Sequence, residues 1–588
     1  MLVKSLSTEL RMAQDLKLDS KTLGPLPIIN GFLDRLRLDR FFEKFVPHTD
    51  RRLKLAPANG LGVLLRNILV AREPLYGLRD WASRFDERSL GLPPGGVRLL
   101  NDDRVGRCLD DLFLANRAAL LTDIVVHAVR TFNVDLSELH NDSTTVTFTG
   151  QYVGANGGST RGHPTHRITF GHNKDHRPDL KQLLWVLTTS ADGAVPVWCS
   201  IDHGNTTDDQ THIQTWDTLC RVAGAADFLY VADSKLCTKE NMEHIAQKHG
   251  RFLTILPKTR REDSWFRDWM QTHEAVWVEL VRKKNSRRES GPDEVYRGFE
   301  SPLRSVEGYR ILWFWSSQKL EQDRASREGR IQRAIHELEK LRARINSPKS
   351  RLKTTKKIET AAAAILNQTK AERWLSTTTK VVEEHRYTQS TAGRPSLNTK
   401  YVRKTKERFE LQWQSKAETL QYDDRTDGIF PLILNDEKLS LRDALLAYKR
   451  QPSLEKRHEQ MKTVFEIMPV NLKSHSRIEA FFFIYFLALL VESLVEREIR
   501  RVMKAEKIES LPLYHEGRLC KAPTANRLFE AFGDVRRHRL LVPGTSLHTH
   551  FCDELTKLQR TVLRLLGQSP ATYFATGEES MPTVAQTG

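Results

Sequence analysis

Three carboxylates, Asp142, Asp233 and Glu455, are the residues whose types and positions could perform phosphoryl-transfer chemistry. Transfer at a DNA phosphate requires an attacking oxygen to be activated and a leaving oxygen to be stabilised. Two divalent cations held by hard oxygen ligands do both, and three carboxylates are a minimal set of such ligands. The sequence therefore predicts a metal site, provided that the fold brings the three residues together.

The first two carboxylates are expected on neighbouring strands. Asp142 lies in "LHNDSTTVTFTGQY", where β-branched and aromatic residues favour a strand, and we predict Asp142 at the end of that strand. Asp233 closes a second strand-like stretch, "DFLYVADS". A single Asp at a strand end is more often a turn or helix cap than a metal ligand, and Asp233 could cap the helix that follows it. The pair on two strands favours the functional interpretation.

The third carboxylate is expected on a helix within "YKRQPSLEKRHEQMK", residues 448–462. At 100° per residue, Tyr448, Gln451, Glu455 and Lys462 fall within a sector of about 60°. One helix face would then present a phenol, an amide, a carboxylate and an ammonium group, of which the ammonium could hold a phosphate.

Other interpretations of this stretch stay open. A solvated charged helix has the same composition, and Glu459 and Asp427 are rival carboxylates, although Asp427 fits a turn better. Proline is well placed in the first turn of a helix but not in its interior. If the helix begins at Pro452, Tyr448 lies outside it and the shared face shrinks to Glu455 and Lys462.

The elements that must position these residues follow a defined order. From residue 136 the patterns predict three strands, a helix, a strand, a helix closed by a glycine cap, and a fifth strand. This is the order of a ribonuclease H-like α/β core with a mixed sheet. The predicted domains are a helical N-terminal domain for DNA-end binding (1–135), the first part of the core (136–260), a basic DNA-contacting insertion (261–440), the core helices that carry the Glu (441–510), and a C-terminal region of unassigned role with a loose tail (511–588).

Composition indicates a globular protein with an anionic partner. Hydrophobic residues make up 39% and charged residues 28%, which is ordinary for a globular chain, but the formal net charge is +17. Residues 341–408 carry 17 Lys or Arg against five Glu and no Asp, which favours a track for a phosphate backbone over a merely solvated face. The six scattered cysteines form no CxxC pair and are expected to be reduced thiols. The start has no signal-peptide pattern, and the apolar run 480–491 is too short to span a bilayer, so we predict a core helix.

Taken together, these stretches resemble the DDE transposases of bacterial insertion sequences, the superfamily with a Tyr-x2-Arg-x3-Glu-x6-Lys signature. Tyr448, Glu455 and Lys462 match that spacing without gaps, while Gln451 occupies the Arg position, with Arg450 and Arg457 nearby as substitutes. The resemblance covers most of residues 25–505. Further landmarks, in chain order, are "LHNDSTTV", "GHNKDHRPDLKQL", "DHGNTTD", "VADSKLCTKEN", "DGIFPL" and "RIEAFFFIYFLALLV".

The resemblance implies cut-and-paste transposition. Asp142, Asp233 and Glu455 would hold two Mg²⁺ or Mn²⁺ ions, and Tyr448, Arg450 and Lys462 would contact DNA. The implied partners are double-stranded DNA, as terminal inverted repeats and target, with a homodimer assembled on the DNA ends and no membrane. The implied location is the bacterial cytoplasm, in association with the nucleoid. The alternatives are a non-catalytic or decayed DNA-binding protein on the same fold, and a nuclease without strand transfer.

Overall fold

The structure is a computed structural model that describes residues 17–47, 54–284, 291–345, 347, 349–465, 472–514, 516–541 and 548–574. Its strands are β1 (Lys17–Thr22), β2 (Glu138–Phe148), β3 (Ser159–Thr160), β4 (His163–Pro164), β5 (Lys181–Ser190), β6 (Pro196–Asp202), β7 (Leu229–Ala232), β8 (Arg251–Ile255), β9 (Val278–Lys283), β10 (Glu294–Glu300), β11 (Arg310–Ser316), β12 (Leu375–Gln389), β13 (Tyr401–Ser415), β14 (Ile429–Leu434), β15 (Arg536–Leu541) and β16 (His548–Cys552).

The α-helices are α1 (Leu26–Leu36), α2 (Leu38–Phe45), α3 (Pro57–Val70), α4 (Leu78–Ala82), α5 (Asp102–Leu114), α6 (Arg117–Phe132), α7 (His212–Ala223), α8 (Lys239–Gln247), α9 (Arg261–Thr272), α10 (Ser317–Ile345), α11 (Thr355–Thr369), α12 (Ala417–Thr426), α13 (Leu441–Tyr448), α14 (Gln451–Glu459), α15 (His475–Ala505), α16 (Ala525–Glu530) and α17 (Lys557–Leu565). Short 3-10 turns span Leu75–Gly77, Gly96–Leu99, Asp208–Gln210, Ser234–Leu236 and Pro570–Tyr573, and a π-helical turn spans Gln460–Val464.

The chain divides into two compact units, 1–254 with 446–588, and 255–445. The division falls at 254/255 and 445/446, where the sequence analysis expected 260/261 and 440/441. The predicted N-terminal helices are present as α1–α6, but they belong to the same compact unit as the sheet and do not form a separate one.

The first unit contains a mixed sheet with the strand order β6-β5-β2-β7-β8. β2, β7 and β8 run parallel, whereas β5 is antiparallel to β2 and β6 is antiparallel to β5. In chain order these strands occupy positions 3-2-1-4-5, and α7 and α8 connect them as the sequence predicted. β5 is buried along nearly its whole length, and its residues 183–187 are all apolar, as expected for a strand that is covered on both faces.

The glycine predicted to cap α8 has a different role. His249 adopts the left-handed conformation after the helix, with φ 61°, and Gly250 does not. A Cβ on Gly250 would lie 2.4 Å from the ring of Trp216, so this glycine permits the close approach of a buried tryptophan.

α15 is the central helix of the first unit. It is 31 residues long and contains the twelve-residue apolar run, so the run is only part of the helix. By length and composition α15 could cross a membrane, but 94% of its most apolar window is buried inside the protein. The pair α5 and α6 passes the same test only when the two helices, bent by 89°, are counted as one. Burial of α15 is what a core helix shows and is compatible with the predicted cytoplasmic location.

The two ends of the described chain meet in the first unit. β1 pairs with β15, and β15 pairs with β16, in a three-stranded antiparallel sheet. The predicted loose tail is packed as far as the structure describes it. Tyr573 is buried and donates to the carbonyl of Gly24 at 3.0 Å, and Gln568 donates to the carbonyl of Ile28 at 3.0 Å. Residues 575–588 lie outside the described residues.

The second unit contains four antiparallel strands in the order β14-β11-β10-β9 and a helix–ribbon module. In this module α10 and α11 pack against a two-stranded ribbon of β12 and β13. The apolar face of α10 forms the core together with the buried Ala334, and Ile335 is partly buried against it. The members of this core are Ile331, Ala334, Leu338, Leu341, Ile345, Ile358, Ala362, Leu366, Ala371, Trp374, Leu375, Phe409 and Leu411.

Candidate carboxylate site

The first two predicted carboxylates lie side by side. β2 and β7 pair in parallel from Glu138↔Leu229 to Asn141↔Ala232, and the next residues in this register are Asp142 and Asp233. Neighbouring strands are about 4.8 Å apart, so the two side chains leave the sheet at the same level. Asp142 was predicted at the end of its strand, but it is the fifth of the eleven residues of β2. The strand that ends at this level is β7.

Asp233 also acts as the cap that the sequence analysis considered. Its carboxylate accepts from the backbone N–H of Lys235 at 3.0 Å and caps the short 3-10 turn Ser234–Leu236. Its own carbonyl accepts from the Thr254 hydroxyl at 2.5 Å, which ties the end of β7 to β8. These contacts fix the backbone from which the carboxylate projects.

An ammonium group, that of Lys174, lies among the carboxylates. Its Nζ is 2.9 Å from an oxygen of Asp208 and 3.6 Å from an oxygen of Asp142. It also donates to the carbonyl of Ser143 at 2.6 Å and to the Ser143 hydroxyl at 2.8 Å. Asp208 accepts a further hydrogen bond of 2.6 Å from that hydroxyl. The surroundings of Asp142 therefore contain a further carboxylate, Asp208, and a cation, Lys174, neither of which was predicted.

Burial and charge set the protonation of this cluster. Burial raises the pKa of Asp142, against the lowering effect of Lys174. Burial likewise raises the pKa of Asp233, and the charges of Asp142 and Asp208 raise it further. For Asp208 burial is outweighed by Lys174 and by the Ser143 hydrogen bond, so its pKa is lowered. Burial lowers the pKa of Lys174 less than the carboxylates raise it, so the group keeps its charge.

The helix that carries Glu455 packs against β2. Gln451 at the start of α14 lies 3.2 Å from His140, measured between Oε1 and Nδ1. Near its other end, the buried His458 lies 3.8 Å from Asp142, measured from Nε2 to Oδ2. Glu455 lies between these contacts in the sequence, four residues after Gln451 and three before His458, so the three side chains share one face. This packing brings the Glu455 helix to the level of Asp142, although the Glu455 side chain itself is exposed.

The helix begins at Gln451, with Pro452 in its first turn. Tyr448 is the last residue of α13 and Lys462 lies in the π-helical turn, so the single helix face predicted for Tyr448, Gln451, Glu455 and Lys462 is wrong. Burial raises the pKa of Tyr448, and the negative charges of Glu455 and Asp233 raise it further, which places the phenol near both.

The predicted DNA-contacting cations have partners within the first unit. Arg450 donates to both oxygens of Glu138, at 2.7 and 2.6 Å. Lys462 donates to both oxygens of Asp175, at 2.7 and 2.8 Å. The Arg450 side chain is 44% exposed and that of Lys462 is 13% exposed, so a competing phosphate reaches Arg450 more easily.

Arg457, the other substitute for the signature arginine, has a structural role. It is buried and lies 3.0 Å from Glu496 of α15, and its guanidinium donates to the carbonyls of Ala194 and Gly193. It therefore anchors α14 to the core helix. Among the rival carboxylates, Asp427 of the second unit pairs with Arg327 at 2.7 Å.

A divalent cation fits this site by donor chemistry, because several carboxylates already surround one positive group. Among the described residues, however, no three Asp, Glu, His or Cys side chains are placed to coordinate a single ion. The Lys174 ammonium lies where the oxygens of Asp142 and Asp208 approach each other.

Sequence reasoning missed Lys174, Asp208 and His458. Lys174 and Asp208 lie in "GHNKDHRPDLKQL" and "DHGNTTD", two stretches that were recognised as landmarks without a role for any one residue. His458 follows Glu455 by three residues, a spacing that puts both on one helix face and could have identified it. Neither ring nitrogen of His458 has a hydrogen-bond partner among the described residues, and burial lowers its pKa to about 3, so the ring is neutral.

Comparison with known proteins gives two findings. Residues 18–126 match a family model described as a domain of unknown function, DUF4277. Among solved structures, the chain is similar to a piggyBac transposase in a synaptic complex with hairpin DNA, at 11% identity and a TM-score of 0.28. That match covers 49% of this chain and 60% of the other, so this chain spans less than two thirds of its length. No curated protein matches the sequence significantly.

Proposed function

We propose that this protein is a DDE transposase that cleaves DNA strands and transfers them by a metal-dependent cut-and-paste reaction. The observation that carries the proposal is the register of β2 and β7, which puts Asp142 beside Asp233. The packing of α14 on β2, through Gln451 and His458, supports Glu455 as the third member.

Asp142, Asp233 and Glu455 would hold two Mg²⁺ or Mn²⁺ ions, which when bound activate the attacking oxygen and stabilise the leaving 3′-oxygen. The chain supplies rigidity and orientation. Asp142 lies on a strand that is paired on both sides, and Asp233 is fixed by its cap and by Thr254. Two carboxylates held on neighbouring strands need little rearrangement to act together.

The surface of the ribbon supports DNA as the partner. Successive residues of a strand point to opposite faces, and the odd-numbered Leu375, Phe409 and Leu411 belong to the module core. The opposite, even-numbered face has five cations against Glu384 and Glu410. These cations are Lys380, Arg386, Lys404, Lys406 and Arg408. We call it the basic face of the ribbon; a two-stranded ribbon of this kind fits the major groove of duplex DNA.

Two cations of this face oppose each other directly. Arg386 pairs with Lys404 in the β12–β13 register, and like charges at such a position destabilise a ribbon. Arg386 has Glu384 as a partner at 3.5 Å, but Lys404 has no ion pair with any described residue. A phosphate placed between them would relieve the repulsion, which is the reason to assign this face to a polyanion.

Tyr448, Arg450 and Lys462 would contact the DNA end near the carboxylates. Arg450 and Lys462 would exchange Glu138 and Asp175 for phosphate oxygens, which bind arginine in the same bidentate way as carboxylates do. We further propose that the working form is a homodimer assembled on two DNA ends, acting in the cytoplasm.

The test is strand cleavage of a duplex taken from the DNA that flanks the coding sequence, in the presence of Mn²⁺. Asp142→Asn should reduce cleavage at least a thousandfold and leave DNA binding within about twofold, because it removes a metal ligand but no cation. Asp217→Asn, which alters a carboxylate paired with Lys248 at 2.8 Å, is the matched control and should cleave normally. Undiminished DNA cleavage by Asp142→Asn would show that Asp142 is not a catalytic metal ligand.

The same assay separates the two alternatives. Wild-type protein that binds the duplex without cutting it would be a DNA-binding protein on this fold. Wild-type protein that cuts the duplex but never joins its 3′ ends to a second DNA would be a nuclease without strand transfer.

A further inference from the structure

We propose that Lys174 is a counter-cation built into the carboxylate site, and that its ammonium competes with a divalent metal ion for Asp142 and Asp208. This inference rests on the proposed function, because it takes the carboxylates to be metal ligands. It assigns to Lys174 a positioning role and to Asp208 a place in the site, neither of which follows from the three predicted carboxylates.

The surroundings of the ammonium are those of a cation site. Its four neighbours are all oxygens, namely one of Asp208, one of Asp142, and the carbonyl and hydroxyl of Ser143, at 2.6 to 3.6 Å. Carboxylate, carbonyl and hydroxyl oxygens are also the ligands that hard divalent cations prefer. The same set of oxygens can therefore serve the ammonium or a metal ion.

The loop that carries Lys174 is fixed at this position. The side-chain Nδ2 of Asn173 donates to Gln182 of β5 at 2.9 Å, and its side-chain Oδ1 accepts from the backbone N–H groups of Asp175 and Arg177. The backbone N–H of Lys174 donates to the Thr145 hydroxyl of β2 at 3.1 Å. Because the backbone is held, the ammonium can leave the carboxylates only by a change of side-chain rotamer.

A second polar group is aimed at the same carboxylate. His458 is buried, its Nε2 lies 3.8 Å from Oδ2 of Asp142, and neither ring nitrogen has a hydrogen-bond partner among the described residues. A buried nitrogen without a partner is costly and is expected to gain one when a ligand arrives. Lys174 and His458 thus contact different oxygens of Asp142, and only Lys174 carries a charge that a metal ion must replace.

Charge balance gives the direction of the effect. Asp142, Asp208 and Asp233 bring three potential negative charges together and Lys174 offsets one of them. Removal of the ammonium leaves Asp142 and Asp208 without an ion pair to any described Lys or Arg, so a metal ion should bind more tightly. Removal of a carboxylate should have the opposite effect.

The experiment is a titration of the full chain with Mn²⁺ in the absence of DNA, followed by the electron paramagnetic resonance signal of the free ion. Lys174→Met should tighten Mn²⁺ binding about tenfold or more, and Asp208→Asn should weaken it about tenfold. Lys174→Arg keeps the charge and should bind close to wild type. Lys248→Met removes an ammonium 2.8 Å from Asp217 and is the control without effect. Thermal unfolding checks that each variant is folded, and Lys174→Gln replaces Lys174→Met if that variant is not.

The outcomes separate this inference from the proposed function. Tighter binding by Lys174→Met with wild-type behaviour of Lys174→Arg supports the competition. Unchanged or weaker binding by folded Lys174→Met and Lys174→Gln, with binding still lost in Asp142→Asn, overturns the competition and leaves the metal site standing. Absence of Mn²⁺ binding by wild type and every variant overturns both.

Discussion

The carboxylate site and the basic face of the ribbon both contain lysine and arginine side chains. The two regions differ in whether these side chains have a carboxylate partner. Around the site, three cations have a carboxylate partner: Lys174 has Asp208, Lys462 has Asp175 and Arg450 has Glu138, all within 2.9 Å. On the ribbon, Lys404 and Lys406 have no ion pair with a described residue, and both are exposed.

The difference shows what each region can do. A cation that is partly buried beside a carboxylate is held in one place and fixes the geometry of its neighbour. An exposed cation without a partner retains its freedom and is screened by salt, so it contributes affinity for a polyanion more than position. Under the proposed function, the first arrangement would serve the reaction at one phosphate and the second would serve the capture of a long duplex.

The largest effect is expected from a substitution in the hydrophobic core that holds the ribbon. It tests whether the ribbon depends on this core, and it changes no charge. Leu338 of α10 is fully buried in the module core, and Leu338→Ala should cost about 2–5 kcal/mol through the lost packing and the cavity. Hydrogen exchange should accelerate in β12 and β13 but not in β2.

The matched control is Leu397→Ala, the same chemical change at a fully exposed position in the ribbon turn. It should leave exchange unchanged. Equal acceleration in β2 and in the ribbon on Leu338→Ala would mean that the ribbon does not depend on this core.

The next effect concerns Glu492, a fully buried carboxyl group in α15. Burial raises the pKa of Glu492 in α15 to about 8, from an ordinary 4.5. The folded state therefore keeps a proton that the unfolded state releases, and stability falls as pH rises from about 4.5 to about 8. Glu492→Gln should abolish this fall and raise the free energy of unfolding by an amount on the order of 4 kcal/mol at pH 8, with little change at pH 4.5.

Thermal unfolding at a series of pH values measures this effect. Glu509→Gln, at an exposed position after α15, should show the same pH dependence as wild type. A Glu492→Gln variant that is no more stable than wild type at pH 8 would show that the carboxyl ionises in the folded protein near the ordinary pKa of a glutamate.

The smallest effect is expected on duplex binding when the unpaired cations of the ribbon are removed. It tests whether unpaired cations contribute more to binding than paired ones. Lys404→Gln with Lys406→Gln should weaken duplex binding about tenfold at low salt. The logarithm of the association constant for the duplex falls linearly with the logarithm of the salt concentration. The double substitution should make this slope less steep by about 1.8, because each lost phosphate contact removes about 0.9. Binding to a fluorescent duplex at several salt concentrations gives both numbers.

The control removes the same charge from paired positions. Arg560→Gln with Arg564→Gln breaks exposed ion pairs with Glu554 and Glu506, both within 2.9 Å. This variant should change the slope little. Equal slopes for the two variants would assign binding to net charge and not to the basic face of the ribbon.

Much of the sheet was predictable because its local signals agree. The order of β2, β5, β6, β7 and β8 with their helices follows the expected pattern. Each of these elements is long enough for its periodicity to dominate. Asp142 was misplaced to a strand end because β2 extends along β5 beyond the point where β7 stops, and that point depends on a strand ninety residues away.

The candidate site was predictable only in part. Pro452 indicated where a helix could begin. The turn between Tyr448 and Gln451 and the π-helical turn at Lys462 could not be predicted, because no hydrophobic periodicity marks either of them. Lys174 could not be assigned because a lysine in a loop has no preferred partner until the loop is placed. Its partners come from Ser143, Asp142 and Asp208, on segments that meet only in the folded chain.

By itself the sequence determined the identity and order of the strands, the positions of three carboxylates and the concentration of charge in the ribbon, because these depend on neighbouring residues. Tertiary structure decided which charges meet. The parallel register of β2 and β7 puts Asp142 beside Asp233, and the loop before β5 brings an ammonium to Asp208. These encounters depend on strand pairing and burial across long stretches of chain, which local pattern cannot specify.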